Sequence, residues 1–129
     1  MRALAGILML VLAGCSTPEG RKIKQGFDQL FASPRGQPML ATGLRQYEDG
    51  QYAESAKNLQ AALDKGLADR DKVVAHKHLA FIHCSVNRER QCREDFRKAL
   101  AIDPSLELGP AESGHPVWGP IFRSVKAGR

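Results

Sequence analysis

No stretch of this chain is apolar for the roughly 20 residues that a helix needs to cross a bilayer. The longest such run, Ala3–Ala13, is too short and carries a glycine. Aromatic residues make up only 6% of the 129 residues, with a single Trp, while Ala and Leu are abundant, a balance that favours helices. Neither sign of charge dominates. The formal net charge is +5 and is spread along the chain, so no nucleic-acid footprint is present. The chain also lacks a glycine-rich phosphate loop, a nucleophile elbow and a zinc-protease helix. Its carboxylates are scattered among Lys and Arg, as on solvated helix faces. An enzyme is therefore not expected, and neither is a cofactor or a small-molecule substrate.

What is there begins at the N-terminus. Arg2 supplies one positive charge, Ala3–Ala13 an apolar run, and Leu12-Ala13-Gly14-Cys15 follows. Charge, short apolar core and small residues before a cut are the layout of a secretory signal peptide. The small residues let a peptidase hold the chain extended, and a thiol directly after the cut accepts a thioether-linked diacylglycerol. The tetrapeptide resembles the bacterial lipobox, with Cys15 as the lipidation site; an ordinary signal peptide that happens to contain a cysteine is the alternative. Each buried CH₂ of an acyl chain such as palmitate contributes about 0.8 kcal/mol, so two or three chains anchor a protein durably. Ser16 rather than Asp follows the cysteine. By resemblance to Gram-negative lipoproteins, this implies the outer membrane, facing the periplasm. Loss of residues 1–14 leaves 115 residues and a charge of +4, because Arg2 leaves with them. That length suits one small domain on a tether.

Residues 15–38 read as the lipidated N-terminus and a flexible tether, rich in breakers at Ser16–Gly20 and Ser33–Pro38. Ile23, Phe27, Leu30 and Phe31 between them have the spacing of a short amphipathic helix. From Met39 the pattern turns helical in four runs. The first carries Leu40, Gly43, Leu44 and Tyr47 and is interrupted at Gly50. The second carries Tyr52, Ala56, Leu59, Ala62 and Leu63 and closes at Gly66. Residues 68–71 read as a polar loop with Asp69 or Asp71 as N-cap. The third run carries Val73, His76, Leu79, Ala80, Ile82 and His83 up to Asn87; the fourth carries Cys92, Phe96, Ala99, Leu100 and Ile102 and ends at Pro104.

Gly50 and Asn87, like Ala62-Leu63 and Ala99-Leu100, are 37 residues apart, so residues 39–104 contain an internal repeat. His76-x₂-Leu79-Ala80-x₂-His83, Cys92-x₃-Phe96 and Pro104 fit the tetratricopeptide (TPR) pattern, whose period is about 34; the three extra residues fall in the loop Gly66–Asp71. Gly43 against Ser55, and Ala80 against Cys92, supply the small pairs that let antiparallel helices approach. The expected fold is all-α: two TPR-like antiparallel helical hairpins, a short α-solenoid. Two repeats need a cap. Residues 105–129 supply it, with Val117, Trp118, Ile121, Phe122 and Val125 as the apolar stripe of a helix starting near Pro116 or, given Gly119 and Pro120, later.

Cys84 and Cys92 remain as an even pair bracketing the hairpin turn. In an oxidising compartment they are a disulfide candidate; two reduced buried thiols are the alternative. His76 and His83 share a helix face while His78 points away, and no further ligand completes a metal site, so no metal is expected. A hairpin repeat offers a concave face to another chain. By the repeat register Leu40, Leu44, Tyr47, Val74, Lys77, His78 and Phe81 line it, unless the tether or the cap buries them.

Leu79–Cys84, Gln91-Cys92-Arg93, Phe96–Leu100, Asp103-Pro104 and above all Gly114-His115-Pro116-Val117-Trp118-Gly119-Pro120 resemble the TssQ family of type VI secretion-associated TPR lipoproteins. The likeness runs from about Leu40 through most of the chain. It implies an outer-membrane lipoprotein accessory to a contractile protein-export machine, a protein partner from that machine or the envelope, and no catalytic residues. An adaptor for outer-membrane assembly, pilus biogenesis or cell-wall enzymes is built alike. A small periplasmic hydrolase would need a polar cleft with perturbed acids, and a partnerless spacer would leave the concave face idle.

Overall fold

The computed structural model describes residues 34–128, and all regular structure among them is helical. The signal peptide, Cys15 and the helical spacing at Ile23–Phe31 lie outside the described residues. Six helices follow one another: α1 Gln37–Glu48, α2 Tyr52–Lys65, α3 Asp69–Ser85, α4 Glu89–Ile102, α5 Pro110–Ser113 and α6 Trp118–Lys126. The first four form two antiparallel TPR-like hairpins, and α6 packs on α4 and α3.

The repeat is visible in the backbone and in the packing. Gly50 and Asn87 occupy the same place in the two hairpin turns, and both have positive φ, 76° and 60°. Gly and Asn are the residues that tolerate this conformation best. Ser55, Leu59 and Ala62 form the buried face of α2; Cys92, Phe96 and Ala99 form that of α4 at the same spacing. At Gly43 the two helices of the first hairpin nearly touch: a Cβ there would lie 3.0 Å from Leu59 Cγ. The Ser55 hydroxyl donates to the Gly43 carbonyl at 2.7 Å. At the matching height of the second hairpin, Ala80 and Cys92 are both fully buried. Cys92 is joined to Cys84 by a disulfide, with the Cα atoms 5.2 Å apart. One slot thus carries a hydroxyl–carbonyl hydrogen bond in one hairpin and a covalent bond in the other.

Helix α3 serves both hairpins. Leu79, Ala75 and Ile82 pack with Leu40, Leu59, Ala62 and Leu67 in one cluster. Ala80, Phe81 and Cys84 pack with Cys92, Phe96, Leu108, Phe122 and Val125 in the other. The cap therefore completes the second cluster, while α1 and α2 complete the first. The outer face of α6, including Pro120, Arg123 and Lys126, is exposed and mostly polar, which ends the stack.

Three local expectations are corrected. Helix α1 begins at Gln37, not Met39. Pro38 suits a first turn, where its missing N–H costs nothing, and the Gly36 N–H donates to the Gly66 carbonyl at 2.9 Å. The polar segment before Val73 is helix rather than loop: α3 starts at Asp69 behind Ala68, and neither aspartate is an N-cap. The residues beyond the usual period form an added first turn of α3, where Asp69 and Asp71 favour the positive helix end. Asp71 is buried there and accepts a hydrogen bond from the Gln37 side chain, tying the starts of α1 and α3 together. In the cap the single expected helix is two: α6 takes the later start, at Trp118, and an extra turn, α5, precedes it.

Loss of the Cys84–Cys92 bond, by reduction or by Cys84→Ser with Cys92→Ser, should lower stability by about 2–3 kcal/mol, as expected for a small closed loop. Cys92→Leu should cost more, because its slot admits only a small residue. Urea unfolding followed by circular dichroism checks both, and equal midpoints for Cys92→Ser and Cys92→Leu would contradict the packing argument.

Candidate functional site

Helices α1 and α3 lie side by side and present their outer faces in the same direction, as the first helices of successive TPR-like hairpins do. Leu44, Tyr47, Val74, Lys77 and His78 sit there, all half-buried. Tyr47 is the centre of an aromatic group. Its ring meets Tyr52 at 5.4 Å and His78 at 4.9 Å between centroids, both edge-on. Tyr52 is 44% exposed and ends the group at the α1–α2 turn.

Two of the expected groove residues do not lie at the surface. Leu40 is 4% exposed and belongs to the first core cluster. Phe81 is 2% exposed. Trp118 stacks on it with centroids 4.5 Å apart, and His115 stacks on the other side of Trp118 at 3.4 Å. The cap has folded back over this end of α3. Glu112 fastens it: one carboxylate oxygen accepts from Lys77 Nζ at 2.9 Å, the other from the Gly109 N–H at 3.2 Å, and its carbonyl accepts from Trp118 Nε1 at 2.9 Å. Lys77 is thus a link to the cap as much as a groove residue. The face that remains is Leu44, Tyr47, Val74 and His78.

The electrostatics of this face are subdued. Burial pushes the His78 pKa below the ordinary histidine value and the nearby Lys77 adds to this, against the hydrogen bond to Val74 and the charges of Glu112 and Glu48. Its Nδ1–H donates to the Val74 carbonyl at 2.8 Å. Burial likewise raises the Tyr47 phenol above its usual value, helped by Tyr52 and Glu112. Near neutral pH both rings are uncharged, a surface suited to apolar and hydrogen-bonding contacts.

The inner side of α3 holds a constellation that the spacing of residues did not reveal. Asp95 on α4 is 6% exposed, and its two oxygens receive His76 Nδ1 at 3.0 Å and His83 Nδ1 at 2.9 Å. A carboxylate only accepts, so both imidazoles hold their proton at Nδ1. The equivalent pair in the first hairpin is Gln46 and Asn58, where Asn58 Nδ2 donates to Gln46 Oε1 at 2.8 Å. Asp95 could have been suspected from the 37-residue offset, which aligns it with Asn58 and aligns His83 with Gln46. The triad is bonded within itself, and among the described residues no group of three or more His, Cys, Asp or Glu is arranged to hold a metal ion. Among the described residues, too, no helix is long and apolar enough to cross a membrane.

Comparison with known proteins fits this geometry. The chain is similar to the photosystem I assembly protein Ycf3 of Synechococcus sp. (strain CC9605). The two are 32% identical over 81 residues, which cover 61% of this chain and 47% of that protein. The chain thus spans about half the length of the curated relative it matches. That relative is a TPR-containing protein, in keeping with the helical hairpins seen here. No family model matches the chain, and no solved structure matches it.

Asp95→Ala strands two half-buried imidazole donors and should cost about 2–4 kcal/mol. Asn58→Ala, at the matching but more exposed position, should cost less than about 1 kcal/mol. A pH effect follows from His78. Its folded pKa is lowered, so the unfolded chain binds the proton first, and stability falls as pH drops from the ordinary value of 6.5 through the folded pKa. His78→Phe keeps a ring against Tyr47 and should make the urea midpoint less sensitive to acid than in the wild type. An unchanged dependence between pH 7.5 and 5 would exclude His78 as a contributor.

Proposed function

We propose that this protein is a non-catalytic scaffold that holds another polypeptide against the outer face of α1 and α3. The observation that carries this reading is the face itself. Leu44, Tyr47, Val74 and His78 form an apolar and aromatic strip, uncharged near neutrality, on the side where stacked helical hairpins offer a concave surface. Similarity to a protein named for assembly supports partner binding rather than chemistry.

In the finer reading the scaffold is anchored through lipid on Cys15 to the outer membrane and faces the periplasm, where it serves a type VI secretion system. Three features favour that setting. The first is the lipobox-like Leu12–Cys15 with Ser16 behind it. The second is the Cys84–Cys92 disulfide, a bond that persists in oxidising compartments. The third is the TssQ-like ending Gly114–Pro120, whose Trp118 and His115 here fasten the cap. The similarity to an assembly protein favours a second reading, an adaptor that assembles another envelope complex on the same face.

Affinity capture of the full-length protein from membranes, with mass spectrometry of what accompanies it, distinguishes these readings. Secretion-system components should be recovered with the wild type and lost with Leu44→Ala, Tyr47→Ala and His78→Ala combined, while circular dichroism stays unchanged. Phe81 is unsuitable for this test because its truncation opens the core. Recovery of the same proteins with the triple variant would overturn the proposed face. Cys15→Ser should move the protein from the membrane to the soluble envelope fraction; retention in membranes would remove lipid as the anchor.

A further inference from the structure

A second concavity lies in the cap, away from the α1–α3 face. The loop after α4, the end of α5 and one side of α6 enclose a half-open cleft of about 330 Å³. Its floor is apolar, made by Leu108 and Phe122, which are also core residues. Its rim is charged. Lys126 donates to the Leu106 carbonyl at 2.8 Å and pairs with Glu107, so that cation is engaged. Arg123 is different: among the described residues its side chain makes one hydrogen bond, from Nη1 to the Ser113 carbonyl at 3.2 Å, and no carboxylate there pairs with it. The Ser113 carbonyl holds the guanidinium at the mouth, and most of its N–H donors remain available.

A guanidinium with spare donors above an apolar floor is complementary to a carboxylate carrying an apolar tail. Glu107 and Lys126 neutralise one another, which leaves Arg123 as the lining cation without a carboxylate partner among the described residues. The volume lies near the lower limit of small-molecule sites, which excludes a bulky or two-chain lipid. We propose that this cleft binds a single-chain aliphatic carboxylate of medium length, its tail on Leu108 and Phe122 and its carboxylate on Arg123. The site is independent of the partner-binding face and stands or falls separately from it.

Isothermal titration calorimetry of the full-length protein with sodium octanoate, kept below its micelle concentration, tests the proposal. Saturable binding of one octanoate per chain is expected. It should weaken about tenfold in Arg123→Gln, since a charge-assisted hydrogen-bonding partner is lost. It should be unaffected in Arg97→Gln, which changes an exposed arginine of α4 outside the cleft. 1-Octanol should bind more weakly than octanoate by a similar factor. The proposal is overturned if no saturable binding occurs, if octanol binds as well as octanoate, or if both arginine variants lose affinity equally. Both positions are exposed, and circular dichroism of each variant verifies that folding is retained.

Discussion

Helix α3 must be buried on two sides at once, and most of the structure follows from that. Its Leu79, Ala75 and Ile82 complete the first hairpin's core, and its Ala80, Phe81 and Cys84 complete the second's. A helix shared between two hairpins turns a pair of marginal units into one stack, because neither can shed it without exposing its own apolar face. Sharing also restricts what is left over. Between its exposed ends, the side of α3 that lies beside α1 leaves a narrow strip with Val74, Lys77 and His78 half-buried, and the cap engages Lys77 through Glu112. Whatever docks here must recognise a small area well, using ring faces and a few hydrogen bonds.

The two hairpins solve one packing problem with different chemistry. Where helices come closest, the first uses Gly43 and a Ser55 hydroxyl bonded to its carbonyl. The second admits Ala80 and compensates with a covalent bond from Cys92. One turn further along, Gln46 with Asn58 is replaced by His83 with Asp95, and His76 joins from two turns earlier on the same face of α3. A neutral amide pair loses little if water reaches it. A buried carboxylate needs its donors, so the second hairpin is bound to a single arrangement of α3 against α4. That rigidity suits the hairpin on which the cap is built.

Repetition was legible in the sequence because it is carried by residues whose role is local. Gly50 and Asn87 mark turns, and the Ser55–Leu59–Ala62 and Cys92–Phe96–Ala99 spacings mark single faces. The start of α3 was not legible. Ala68–Lys72 is polar enough to pass for a loop, and only its contact with Gln37, some thirty residues earlier, explains why Asp71 is buried in a helix. The groove failed for the same reason in the other direction. Phe81 has the register of a surface position, but Trp118, brought back over it by α5, covers the ring. Periodicity reports which side of a helix is apolar; it does not report which distant segment will arrive to cover that side. Asp95 was hidden because it occupies a core-facing position with a residue type that normally marks the exterior.

The cap is therefore more than a stopper, and Glu112 shows why. Its carboxylate closes the α5 turn at Gly109 and reaches Lys77 on the partner-facing side of α3, while its carbonyl holds the indole of Trp118. Trp118 in turn shields Phe81, which touches Phe96 in the second core and Tyr47 at the edge of the binding strip. A ligand that displaced Lys77 from Glu112 would release one tie of the cap, and loosening of the cap would unshield Phe81 and enlarge the apolar strip. The two events lie on the same chain of contacts, so a partner that prefers the larger strip would favour the looser cap. The Lys77–Glu112 pair is part-buried, its side chains 20% and 30% exposed, so a partner that released it would have to offer Lys77 an acceptor of its own.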